Sequence, residues 1–168
     1  MSGFRVGQGF DVHRFRSGRR LRLCGVQLES AIGLDGHSDA DVALHAVVDA
    51  VLGAAAAGDL GEHFPTSDDR WRDADSSELV RAAVEIVRER GFEVVNCDVT
   101  IIGEQPRVSP HRQTMRTSLA ALLQLPIDAV SVKATTTEGL GFAGRGEGLA
   151  ASAAVLLAGS PEKPEKND

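Results

Sequence analysis

The 168-residue sequence predicts an α+β fold, a mixed sheet with helices packed on one face. Three observations point there. Stretches with an apolar residue at every second position and stretches with helical spacing follow one another as β-β-α-α-β-α-β, before a last element open between helix and strand. Each predicted helix is apolar on one face and must bury it against something. A chain of this length, 42% hydrophobic and 25% charged, is long enough for one core. A single domain over 1–158 is expected, followed at 159–168 by a charged, proline-bearing tail that composition marks as disordered.

Residues 4–15 alternate roughly, placing Phe10 and Val12 on one face and Asp11, His13 and Phe15 on the other. Residues 20–29 read as a second strand after a turn at Ser17-Gly18, and 31–36 as a glycine-bearing loop. A helix follows, with Ser38 as N-cap and Asp41 as its capping-box partner, apolar from Val42 and stopped by Gly58. Asp39 and Asp41 in its first turn suit the positive end of the macrodipole. Asp41, His45 and Asp49, four residues apart, form a polar stripe on it. Residues 59–76 are a polar loop, and a loop of that length is usually functional or mobile. A helix then runs from Asp75, with Glu78 as capping-box partner, to Gly91, burying Leu79, Ala82, Ala83, Ile86 and Val87. Residues 92–103 form a strand with Asn96, Asp98 and Thr100 opposed to Val95, Cys97, Val99 and Ile101. A loop leads to a helix over 111–124 with Leu119, Leu122 and Leu123 inward, and 129–138 is a strand ending in hydroxyls. After a tight glycine-rich loop, the alanines of 149–158 favour helix, while so short an apolar run equally fits a buried strand.

Composition narrows the function. Net charge is −6 and no lysine/arginine cluster tracks a phosphate backbone, so no nucleic-acid partner is expected. No run of 18 apolar residues predicts a membrane span, and the N-terminus does not read as a leader. Cys24 and Cys97 fit neither a disulfide framework nor a metal spacing, and read as core residues in a reducing, cytoplasmic setting.

The chemistry concentrates in Leu34–Asp49, with two histidines and four aspartates. Asp11-x-His13 on an extended segment aims a carboxylate and an imidazole the same way; His45 from the helix completes three ligands, enough for a catalytic zinc with an open position. The same set describes the facial triad of non-haem iron enzymes, and spacing alone does not separate the metals. The plainer reading of a lone strand histidine is a core or surface residue. His37-Ser38 reads either as ordinary packing at a helix start or as donors aimed at a phosphate. Asp59 reads as an Asx turn or as a holder of a polyol hydroxyl, while His63 and His111 read as structural or surface residues. Lys133-Ala134-Thr135-Thr136-Thr137-Glu138 suits a sheet edge, but its hydroxyls and terminal carboxylate also suit phosphate oxygens and a magnesium ion.

Four stretches, GFDVH, GHSDADVALHAVVDAVLGAAAAGDLGEHFP, NCDVTIIGEQPRVSPH and VKATTTEGLGFAGRGEG, resemble the 2-C-methyl-D-erythritol 2,4-cyclodiphosphate synthases of the non-mevalonate isoprenoid pathway, across 6–157. The resemblance implies a homotrimer of α+β subunits with sheets around the three-fold axis, a last segment that is strand, and an active site at each subunit interface. It implies zinc on Asp11, His13 and His45, and magnesium or manganese on Glu138. His37 and Ser38 match phosphate contacts, Asp59 and Gly61 the erythritol turn, and Phe64 to Asp68 the adjoining loop. Gly103–Ser109, including Arg107, and Ala134, Thr135 and Thr136 match a cytidine pocket from a neighbouring subunit; Thr137 adjoins it, and Phe142 and Arg145 match further substrate contacts. His37 and Thr136 would assist catalysis. The implied reaction, that of a phosphorus–oxygen lyase, closes 4-diphosphocytidyl-2-C-methyl-D-erythritol 2-phosphate into the cyclic diphosphate and releases CMP. The alternatives are a metal-dependent phosphohydrolase and a non-catalytic zinc-bearing module. Pro106-Arg107 stands where the family commonly has Pro-Lys, which changes the geometry of nucleotide contact but not the charge.

Overall fold

The structure is a computed structural model that describes residues 3–159; the tail expected to be disordered lies, beyond Gly159, outside the described residues. A five-stranded mixed sheet has the short strand β4 (Ile32–Leu34) at one edge and the order β4-β1-β7-β5-β6. β1 (Phe4–Ser17) is antiparallel to β7 (Gly148–Gly159), β7 is antiparallel to β5 (Phe92–Ile102), and β5 is parallel to β6 (Val130–Thr135). The ambiguous last segment is therefore a strand. It pairs on both edges, and that tertiary pairing outweighs the helix propensity of its alanines.

Three longer helices, α1 (Val42–Ala54), α3 (Ser76–Glu89) and α4 (Arg112–Leu123), form a layer on one face; α2 (Leu60–His63) and α5 (Gly141–Gly144) are single turns. α1 sits almost on the backbone of β1. A Cβ at Gly7 would lie 1.9 Å from the carbonyl oxygen of Ala50, and one at Gly9 2.0 Å from that of Ala46. Only glycine permits that approach. The next inward positions on β1 are Asp11 and His13, so the same contact brings them to the N-terminal half of α1, where His45 lies. No helix among the described residues is long and apolar enough to cross a membrane.

Several local expectations change. Residues 20–29 are a hairpin, β2 (Leu21–Leu23) and β3 (Val26–Leu28), turned by Cys24 and Gly25 at φ 54° and 77°. The loop before the central helix contains β4 (Ile32–Leu34), paired with the end of β1. The strand at 129–138 stops at Thr135. A bulge between Val94 and Asn96 turns Val95 to the outer face, against the simple alternation. Asp75 caps α3 through the N–H of Ser77.

The N-cap of α1 is Asp41, not Ser38. One carboxylate oxygen accepts from the N–H groups of Leu44 at 3.1 Å and Cys24 at 3.0 Å, the other from that of Gly25 at 2.7 Å. A completely buried acid thus starts the helix and closes the hairpin turn in one act. Asp41→Ala leaves three buried or part-buried donors without an acceptor, at about 1–3 kcal/mol each. The expected loss is roughly 4 kcal/mol or more, a fall in Tm of about 10 °C. Thermal unfolding checks this, and Asp41→Asn, which keeps a carbonyl acceptor, should lose distinctly less.

Candidate metal centre

Asp11 and His13 alternate along β1 and so share its inner face, and α1 lowers His45 onto them. The Asp11 Oδ2 lies 3.0 Å from His13 Nε2 and 2.9 Å from His45 Nδ1, and the two nitrogens are 3.0 Å apart. Among the described residues, this is the one group of three acidic, histidine or cysteine side chains close enough to share an ion.

The far side of each ring decides which nitrogen faces the group. His13 Nδ1 lies 2.6 Å from the carbonyl oxygen of Asp35, an acceptor only, so Nδ1 carries the proton and Nε2 offers its lone pair inward. His45 Nε2 lies 3.0 Å from both Ser38 Oγ and Ser76 Oγ. The Ser76 hydroxyl donates to Asp39 Oδ1 at 2.5 Å, so its oxygen is left to accept from His45 Nε2–H. With both rings neutral, three lone pairs meet. A cation satisfies that arrangement, and imidazole and carboxylate donors, each oriented from behind, suit zinc or iron. Three protein donors leave room for a further, non-protein ligand.

Burial pushes the Asp11 carboxyl up, but the two imidazoles, when they carry protons at these nitrogens and donate to it, outweigh burial and hold it well below the usual carboxylate range. Burial lowers His13, while the Asp11 carboxylate and the Asp35 carbonyl raise it further, for a net rise above its ordinary value. Beside the group lies a cleft of about 290 Å³ lined by Asp11, His45, Asp49, Asp59, Leu60 and Gly61. Burial and the neighbouring Asp59 and Asp11 raise the carboxyl of Asp49, although the N–H of Leu60, 2.8 Å from its Oδ1, pulls the other way. The cleft thus joins the metal ligands to the Asp59–Gly61 turn. Asp49, seen in sequence only as part of a stripe, is one of its walls.

Other expected site residues fall into three sets. Ser38 touches His45 directly, and His37 Nε2 is buried without a hydrogen-bond partner, a ring nitrogen with capacity to spare for a ligand. Phe64 is buried and packs edge-on against Trp71, with ring centres 5.1 Å apart, and Asp68 caps a 3-10 turn and pairs with Arg70; neither is among the cleft's lining residues. Gly103, Arg107, Ala134, Thr135, Thr136, Thr137 and Glu138 gather where the parallel strands β5 and β6 end. There Gly103 N–H bonds the carbonyl of Thr135, Glu104 accepts from the N–H groups of Thr137 and Gly139, and Thr136 Oγ1 donates to Glu138 at 2.8 Å. Phe142 belongs to α5; Arg145 follows it and pairs with Glu147. This second assembly is not beside the first. Asp11 pairs with Ala151, Ala151 with Ile101 and Ile101 with Ala134, three strand spacings or about 14 Å across the sheet.

Two histidines and one carboxylate beside an open polar cleft make a group that could hold a metal ion, on the inner face of an α+β sheet. The YgbB family profile matches residues 4–158, and the chain belongs to that family. It is 56% identical over 154 residues to a 2-C-methyl-D-erythritol 2,4-cyclodiphosphate synthase of Xanthomonas oryzae pv. oryzae, covering 92% of this chain and 94% of that one. It is also 55% identical over 153 residues to a bifunctional IspD/IspF enzyme of Hyphomonas neptunium, where the match covers 91% of this chain but only 40% of the relative. A solved 2C-methyl-D-erythritol-2,4-cyclodiphosphate synthase in its CDP-bound form superposes with a TM-score of 0.84 at 38% identity, covering 91% of this chain and 99% of that one.

Because the raised His13 binds a proton that a metal must displace, metal affinity should fall as pH drops from above about 6.5, the ordinary histidine value, by roughly tenfold per unit once the ring is charged. Zinc titration against a chelator between pH 5.5 and 8.5 measures it; a flat profile would remove His13 from the ligand set.

Proposed function

We propose that this chain binds zinc through Asp11, His13 and His45 and converts 4-diphosphocytidyl-2-C-methyl-D-erythritol 2-phosphate to 2-C-methyl-D-erythritol 2,4-cyclodiphosphate and CMP. The observation that carries this is the convergence of three oriented donors beside the Asp49–Asp59 cleft. The extent of likeness to the Xanthomonas synthase supports it. In the reaction an oxygen of the substrate's 2-phosphate bonds to the β-phosphorus, and the bond from that phosphorus to the oxygen bridging it to the α-phosphate breaks, releasing CMP. The attacking phosphate monoester is already largely dianionic at neutral pH, with a second pKa near ~6, so the site needs no strong base. The chain's task is to position and to neutralise charge.

Asp11, His13 and His45 would hold a zinc ion, which would supply a Lewis acid for a phosphate oxygen. Asp59 and the Gly61 backbone line the cleft on the erythritol side and orient its hydroxyls. His37 and Ser38 offer donors to the phosphates, and Thr136 steadies the diphosphate from the other assembly, where Glu138 would hold magnesium or manganese. Gly103, Arg107, Ala134, Thr135, Thr137, Phe142 and Arg145 complete the nucleotide end. The free, buried thiols of Cys24 and Cys97, the latter pushed up to about 12 by burial, suit a reducing cytosol.

The two assemblies meet if copies of the chain associate. The outer face of β1 is bare and apolar, with Phe4 and Val6 about three-quarters exposed and Phe10 and Val12 also exposed. Such a face needs a partner, and the resemblance gives the number as three. Light scattering should return three times the 17.7 kDa chain mass, and Phe10→Asp should give monomers with CMP release reduced more than a hundredfold. A fully active monomer would overturn the shared site.

Phosphorus NMR with the cytidyl substrate, zinc and magnesium tests the reaction itself. A cyclic diphosphate with CMP is expected, and His45→Ala should bind no zinc and release none. CMP with only linear polyol phosphates would make the chain a hydrolase instead.

A further inference from the structure

Ser76 is the first residue of α3 and is completely inaccessible to solvent. It is 31 residues from His45 in sequence, yet its hydroxyl oxygen lies 3.0 Å from His45 Nε2. Asp39 holds it at two points: Oδ1 takes the hydroxyl proton at 2.5 Å, and Oδ2 takes the backbone N–H at 3.2 Å. Asp39 is itself anchored, by the N–H of Asp41 at 3.2 Å and by Arg22, whose Nε lies 3.6 Å from Oδ2. Arg22 also reaches Asp75 at 3.0 Å, which ties the hairpin to the same helix start.

The order of donors along this line is fixed at one end. A carboxylate only accepts, so the Ser76 proton points to Asp39 and its lone pairs point back to His45. Ser76 is thus placed to accept from His45 Nε2–H, while Nδ1 faces the Asp11 carboxylate at 2.9 Å and His13 Nε2 at 3.0 Å, where a bound cation would take its lone pair. Ser38, at the same distance from Nε2, does not settle this, because the structure gives its hydroxyl no carboxylate acceptor. We propose that Ser76, held by Asp39, is the positioning residue that keeps His45 in its Nε2–H tautomer with Nδ1 free for the metal. A serine at the first turn of a helix is ordinarily a matter of helix stability; here it is also the outer partner of a metal ligand. The proposal rests on the reading of Asp11, His13 and His45 as a metal centre.

Two measurements test it without relying on turnover. In zinc-loaded protein at pH 8.5, long-range proton–nitrogen imidazole spectra should show a proton on His45 Nε2, bonded to Ser76, and none on Nδ1. A predominant Nδ1–H form overturns the proposal, whatever any variant does. In Ser76→Ala, zinc affinity, read by chelator competition, should fall roughly 10–100-fold. Ser77→Ala serves as control: it alters the same helix turn, where Ser77 N–H bonds Asp75 rather than Asp39, and should bind zinc as tightly as the parent. Equal zinc affinity in Ser76→Ala and the parent overturns the positioning role. Absence of zinc binding by the parent chain would instead overturn the metal centre itself.

Discussion

The close seating of α1 on β1 is the constraint on which the rest depends. Helices usually ride on a sheet with side chains between; here Gly7 and Gly9 remove that layer, and the carbonyls of Ala46 and Ala50 stand where Cβ atoms would be. The cost is two glycines in a strand interior, each weaker than alanine there by about 0.5–1 kcal/mol in chain entropy. The return is precision. With the helix axis fixed against the strand, His45 approaches Asp11 and His13 within hydrogen-bonding distance, which a longer separation would not allow.

The layer above α1 is organised by acids that never meet solvent freely. Asp41 takes three backbone N–H groups and Asp39 takes a hydroxyl and two, so both negative charges are spread over oriented dipoles rather than paired with surface cations alone. Cutting either network exposes buried donors, and the loss would be felt in the hairpin, in α1 and at the start of α3 together. Asp11 and Asp49 differ in kind. Their carboxylates line the cleft instead of closing the fold.

How far this was legible in sequence depended on the range of the interaction. The period of a strand put Asp11 and His13 on one side, and helical spacing put His45 on a polar stripe of an otherwise apolar helix; both statements are local, and both survive in the structure. The N-cap was not local. Ser38 and Asp41 are equally good caps by type, and only the hairpin turn at Cys24-Gly25, 17 and 16 residues earlier, recruits Asp41. That turn lacks the Asn-Gly or Asp-Gly signature, which is why the hairpin read as one strand. β4 is three residues long and exists only because β1 lies beside it. Val95 was placed by alternation, which a single-residue bulge reverses. Ser76 carried no signal of its role, since its partner His45 is distant in sequence and its position is one where serine is commonplace.

One sheet thus carries two kinds of surface with opposite demands. Its inner face is closed by α1 and gathers the three donors Asp11, His13 and His45; its outer face presents Phe4, Val6, Phe10 and Val12 to solvent. The two are linked by the alternation of β1 itself, since the residues that point inward to ligate are the neighbours of those that point outward. Moving the strand by one residue would exchange the two sets. The nucleotide-end residues at the tips of β5 and β6 stand three strands from the ligands within one chain. On the proposed reading, association through the outer face would bring both halves to one substrate, because the strand register that gathers Asp11, His13 and His45 would also set where the neighbour's half arrives.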